Sequence, residues 1–177
     1  MIEHIPDLVA SGLDSLKIEG RMKSRYYTAV VTNAYRMALD EFRDHGKVQT
    51  PLPLLQKELD SVSHRQYCTG FYYHPIAEEA NLAENPGYIG EKSFLCTVEA
   101  YNKDKRIAVC RQKNKFSVGD RCEIITPGKT GKAFRVEKMW DMENAPIEAC
   151  AHPQMAFQIP LEIEAHPGDL IRAATEV

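Results

Sequence analysis

The apolar residues of this 177-residue chain change period near Pro86. Before that point they recur at helical spacing, and after it they alternate as the residues of half-buried strands do. Helical and strand patterns held in separate halves must bury two different surfaces, which predicts an α+β protein.

In the first half, Ile5 to Ser11 reads as a short helix with Pro6 near its start and Gly12 as its stop. Leu13, Leu16 and Ile18 then suggest a short strand over Leu13 to Glu19, with Lys17 the exception in an apolar core. From Arg25, Tyr27, Val30, Val31, Ala34, Ala38 and Leu39 repeat at helical spacing, and the helix is expected to last until Gly46. The result is an αβα unit over residues 1–50. A parallel-type strand needs neighbours on both sides, and no partner of that kind follows. The unit is therefore expected to be a remnant of a larger domain, truncated before Met1.

Residues 51–87 read as a connector. Pro51 and Pro53 flank Leu52 and disfavour helix there, so a short helix is expected over Leu54 to Val62. Phe71, Tyr72 and Tyr73 suit either stacking on a ligand or packing at a domain junction. Residues 88–177 supply strand-like runs at Tyr88 to Ala100, Arg106 to Arg111, Arg121 to Thr126, Lys132 to Trp140, Gln154 to Ile163 and Asp169 to Ala173. Short strands separated by turns predict a small antiparallel β-barrel.

The net charge of -3 and ordinary apolar content are those of a globular protein. No apolar run approaches the roughly 20 residues of a membrane span, and Met1 to Pro6 lacks the form of a secretory signal. A cytoplasmic setting is expected. Lys103 to Lys138 holds eleven Lys and Arg against four acids, whereas Asp141 to Glu176 holds seven acids against Arg172 alone. This asymmetry fits either a nucleic-acid patch or solvated hairpin tips.

The chain lacks a Walker loop, a Gly-x-Ser-x-Gly elbow, a zinc-protease His-Glu-x-x-His and a dinucleotide fingerprint. Its five cysteines, Cys68, Cys96, Cys110, Cys122 and Cys150, form no Cys-x-x-Cys pair, and Cys96, Cys110 and Cys122, inside strand-like runs, are expected to be buried thiols. Cys150 and His152 alone do not define a metal site, and none is expected. The turn at Glu19 to Lys23 stands apart. Glu19 is placed to accept hydrogen bonds from a substrate. Arg21 and Lys23, at the start of the next helix, suit an anion, and Tyr26 and Tyr27 either line the same pocket or pack the first helical turn. A salt link that only fixes the loop is the alternative.

Ile2 to Pro6, Gly12 to Ser24, Tyr27, Tyr35 to Asp40, Thr69 to Phe71, Phe116 to Asp120 and Gly168 to Arg172 together resemble peptidase family U32, the collagenase-like peptidases. The resemblance implies a β/α (TIM-like) barrel core, of which residues 1–50 would be the end. It also implies an appended C-terminal domain and, in one branch, prephenate-dependent hydroxylation of a tRNA wobble uridine. An iron-sulfur cluster and prephenate are implied for the longer proteins, with no cofactor expected in this stretch. Glu19 would then lie at a catalytic mouth, Arg21, Lys23 and Tyr27 would bind substrate or an anion, and the small barrel would hold tRNA through Lys113, Lys115, Arg121, Lys129, Lys132 and Arg135. The missing barrel core would be the other partner, and the chain alone would be inert. A fragment of a peptidase and a non-catalytic scaffold module are the competing readings.

Overall fold

The computed structural model describes residues 1–73, 75 and 92–174. The chain divides into two compact units, Met1–Glu91 and Lys92–Val177.

The first unit is helical. A 3-10 turn, Ile2–His4, runs into α1 (Ile5–Ala10), which has Pro6 in its first turn where no amide donor is required. Gly12, at φ +74°, turns the chain away after it. α2 (Arg25–His45) starts at Ser24, whose Oγ accepts the Tyr27 N–H at 3.1 Å, and stops at Gly46, at φ +71°, whose N–H donates to Phe42 O at 2.8 Å. Tyr26, Val30, Val31, Ala34, Met37 and Ala38 form its buried face. The stripe is rotated slightly from the expected one: Tyr26 is fully enclosed and Tyr27 only half-buried. α3 (Leu52–Asp60) packs against α2 through Leu55 and Leu59. It begins at Leu52, earlier than expected, because Pro51 caps it and Pro53 falls in the first turn, where its missing N–H costs nothing.

The expected strand at Leu13 to Glu19 does not form. No strand exists among the described residues of this unit to pair with it, and Leu13 and Leu16 remain exposed. In place of αβα, the described residues of the unit form helices joined by an irregular segment. The aromatic stretch that follows α3 is partly packed. Tyr67 donates to Leu59 O at 2.9 Å and stacks on His64, while Tyr73 stacks on His4 and donates to Asp7 Oδ2 at 2.5 Å. Phe71 and Tyr72 are largely exposed.

The second unit is a six-stranded antiparallel sheet: β1 (Phe94–Asn102), β2 (Ile107–Gln112), β3 (Arg121–Ile125), β4 (Lys132–Arg135), β5 (Ala156–Pro160) and β6 (Leu170–Ala173), in the order β4-β3-β6-β1-β2-β5. Bulges at Val98/Ala100 and Phe94/Cys96 bend β1, one of the two central strands, and curl the sheet around one core. Leu95, Val98, Cys110, Cys122, Ile124, Phe157, Ile159 and Ile171 fill that core, with Phe116 and Phe157 in edge contact at 5.5 Å. β4 and β5 are the two edges. A bridge from Trp140, downstream of β4, reaches Gln158 of β5 but continues into no ladder. The expected closed barrel is therefore a curled half-barrel, because the segment after Arg135 leaves the strand pattern before it can close the seam. Pro86 and the expected strand start at Tyr88 lie outside the described residues.

Candidate nucleic-acid interface

In the helical unit, the Glu19 to Lys23 turn is built locally. Glu19 Oε1 accepts the Arg21 N–H at 2.9 Å, and Lys23 N–H donates to Gly20 O at 2.9 Å. Glu19 also lies 3.8 Å from Lys17, both largely exposed, a contact of little energetic weight. Lys23 is anchored: its Nζ donates to Ser63 O at 2.9 Å and lies 5.3 Å from the centre of the Tyr27 ring. Glu19 and Tyr27 line an open cleft of about 640 Å³, together with Tyr35, Tyr67 and Tyr72; Arg21 and Lys23 do not. Burial pushes the Tyr35 hydroxyl up to about 12 and raises that of Tyr67 further, so both stay protonated donors. The four residues expected to act together are thus split between the cleft and its flank.

In the sheet unit, part of the basic run is neutralised by acids that precede or follow it in the sequence. Lys103 meets Glu164 at 2.9 Å, Arg106 pairs with Glu162, and Arg111 grips Glu99 with two bonds of 2.8 and 2.9 Å. The partner cations hold the Glu99 and Glu164 carboxyls below their usual range. Lys113 is tied to Gln154 Oε1 at 3.1 Å. By contrast, Lys115, Arg121, Lys132 and Arg135 are exposed and form no ion pair among the described residues. Three of these, Lys115, Arg121 and Arg135, line one groove of about 580 Å³ at an end of the sheet. Lys129 lies in the turn between β3 and β4, outside that groove.

Strand alternation explains the grouping. Cys122 and Ile124 of β3 face the core, so Arg121 and Glu123 face outward. Arg135 is the cross-strand partner of Arg121, and Arg172 that of Glu123. The second pair is enclosed. Arg172 is fully buried, with Nε and Nη2 both 2.7 Å from Glu123 Oε2, and Lys92 Nζ reaches the same oxygen at 2.9 Å. Burial alone would raise the Glu123 carboxyl, but the Lys92 hydrogen bond and the Arg172 charge outweigh it and hold the group below its ordinary value. Sequence reading missed this trio. Only the closing Gly168 to Arg172 motif signalled it.

The described cysteines do not fit an iron-sulfur cluster. Cys96, Cys110, Cys122 and Cys150 are buried in the half-barrel, Cys68 is exposed, and among the described residues no three His, Cys, Asp or Glu side chains converge. Burial pushes the Cys122 thiol up to about 12 and the Cys96 thiol up as well. His152 is exposed and Cys150 is buried. No described helix is long and apolar enough to cross a membrane.

Residues 1–81 match the model of peptidase family U32, and residues 91–172 match that of the peptidase family U32 C-terminal domain. The chain belongs to peptidase family U32. Within it, the chain is similar to proteins with two kinds of name. It is 28% identical to tRNA hydroxylation protein P1 of Bacillus subtilis over 97% of this chain and 41% of that protein, and 33% identical to tRNA hydroxylation protein P of Escherichia coli over 84% and 31%. It is also 46% identical to a Methanocaldococcus jannaschii protein described as an uncharacterized protease, over 84% of this chain and 36% of that one. The chain thus spans 31 to 41% of the length of these relatives. Among solved structures, the C-terminal domain of a Geobacillus thermoleovorans U32 peptidase aligns with 46% of this chain and 92% of its own, at 26% identity and a TM-score of 0.45.

Proposed function

We propose that this protein works in tRNA modification, in the hydroxylation of a wobble uridine, with the half-barrel as an RNA-contacting module. The names of the relatives support the reaction, and the four exposed, unneutralised cations Lys115, Arg121, Lys132 and Arg135 carry the RNA assignment. Arg121 and Arg135 stand directly opposite each other on β3 and β4, where like charges are unfavourable unless an anion arrives. In the helical unit, the exposed Arg21 fits the carboxylate of a small anionic substrate such as prephenate. Exposed Val9, Leu13 and Leu16 suit burial beneath a further barrel layer. The chain is taken to be inert by itself, because among the described residues Glu19 meets only Arg21 and Lys17 of its own exposed segment.

A second reading, proteolysis, is favoured by the protease name of the relative with 46% identity. One pair of assays separates the two. The chain is titrated into fluorescein-labelled bulk tRNA at low salt, and the same preparation is incubated with gelatin. Salt-sensitive tRNA binding without gelatin cleavage is the expected result. Gelatin cleavage with no tRNA binding would replace the first reading by the second.

A further inference from the structure

We infer that the groove at the end of the half-barrel seats a backbone phosphate of RNA between Arg121 and Arg135, with Lys115 closing the site from the facing wall. This inference rests on the tRNA reading and assigns it to particular atoms. Arg121 and Arg135 are direct cross-strand partners of β3 and β4, a placement that puts their Cβ atoms about 5 Å apart. Like charges carried at directly opposite positions are unfavourable. The nearest outward carboxylate on β3, Glu123, offers no relief, because Arg172 and Lys92 already occupy it.

The one carboxylate lining the groove is that of Asp120, whose Oδ2 accepts the Ser117 N–H at 2.8 Å and so is held in its turn. Three cations against this one carboxylate leave the groove with an excess of two positive charges. The rim amide of Asn114 is also committed, donating to Phe94 O at 2.7 Å. Recognition therefore falls to the two guanidinium forks and the Lys115 ammonium. Planar forks suit the paired oxygens of a phosphodiester, and a point charge opposite them suits its remaining negative density. A site of about 580 Å³ that is open to solvent admits a nucleotide unit within a continuous strand.

The test uses the full chain and fluorescein-labelled tRNA, titrated at several salt concentrations, with wild type, Arg121→Gln/Arg135→Gln, Arg121→Lys/Arg135→Lys and the control Lys103→Gln. The glutamine pair is expected to weaken binding about tenfold at low salt and to reduce the salt slope by about 2. The lysine pair is expected to keep the slope but bind more weakly than wild type, and Lys103→Gln to match wild type because Glu164 already neutralises that cation. Competition separates the ligand sources: an unlabelled RNA should displace the probe, whereas inorganic phosphate and polyglutamate at equal charge concentration should not. Unchanged affinity and slope in the glutamine pair would overturn the groove while leaving the tRNA reading intact. Absence of wild-type binding would overturn both. Equal displacement by polyglutamate would reassign the groove to an acidic protein partner, and displacement by inorganic phosphate to a free anion.

Discussion

Arg172 Nε and Nη2 both lie 2.7 Å from Glu123 Oε2, across the β6–β3 pairing, and an added Cβ on Gly131 would come within 2.7 Å of the same Nη2. The carboxylate is shared with Lys92, so one buried acid serves two cations. Removing the acid therefore differs from removing either base. Glu123→Gln leaves two cations facing a neutral amide and is expected to cost about 3–5 kcal/mol, whereas Lys92→Gln leaves the Arg172–Glu123 pair standing and costs less. Urea denaturation of the two variants checks the order.

The same pair sets an acid limb of stability. Glu123 has its folded value depressed below the ordinary 4.5, so its contribution is present above that value and is lost as pH falls through the lower, folded one. Wild type should lose unfolding free energy below pH 4.5 more steeply than Glu123→Gln. Parallel curves for the two would mean that Glu123 is not the group responsible.

Gly131→Ala places a methyl where Arg172 Nη2 and Glu123 Oε2 already sit, at 2.7 and 3.0 Å. Arg172 is fully enclosed and has nowhere to retreat. A loss of about 1–3 kcal/mol is expected, against little change for alanine at the exposed Lys132. Thermal unfolding reads both.

The cysteines separate by access. Cys68 is exposed and the other four are buried, with the Cys122 thiol pushed up to about 12. A maleimide should label one thiol quickly in the native protein and five in denaturant. Rapid labelling of two or more native thiols would contradict the packing of the half-barrel core.

What could be read from sequence divides along the range of the interactions involved. α2 was legible to its ends because Ser24 and Gly46 act within one turn, and the outward set on β3 follows from simple alternation. The strand expected at Leu13 to Glu19 depended on partners elsewhere, and a strand without a ladder has no reason to persist. The basic run was misleading for a similar reason. Lys103 finds Glu164 and Arg106 finds Glu162 across more than fifty residues of chain, so the groups left exposed emerge only once the hairpins are in register. Glu19 and Tyr27 line the cleft and Arg21 and Lys23 do not, and the bond from Lys23 to Ser63, forty residues away, has no signal in the local sequence.

The central claim is a role in tRNA modification. Its most direct test is nucleoside mass spectrometry of tRNA from cells with the gene disrupted and from the same cells complemented with it. The account predicts that 5-hydroxyuridine derivatives at the wobble position fall on disruption and return on complementation. Unchanged levels of these nucleosides in the disrupted cells would contradict it.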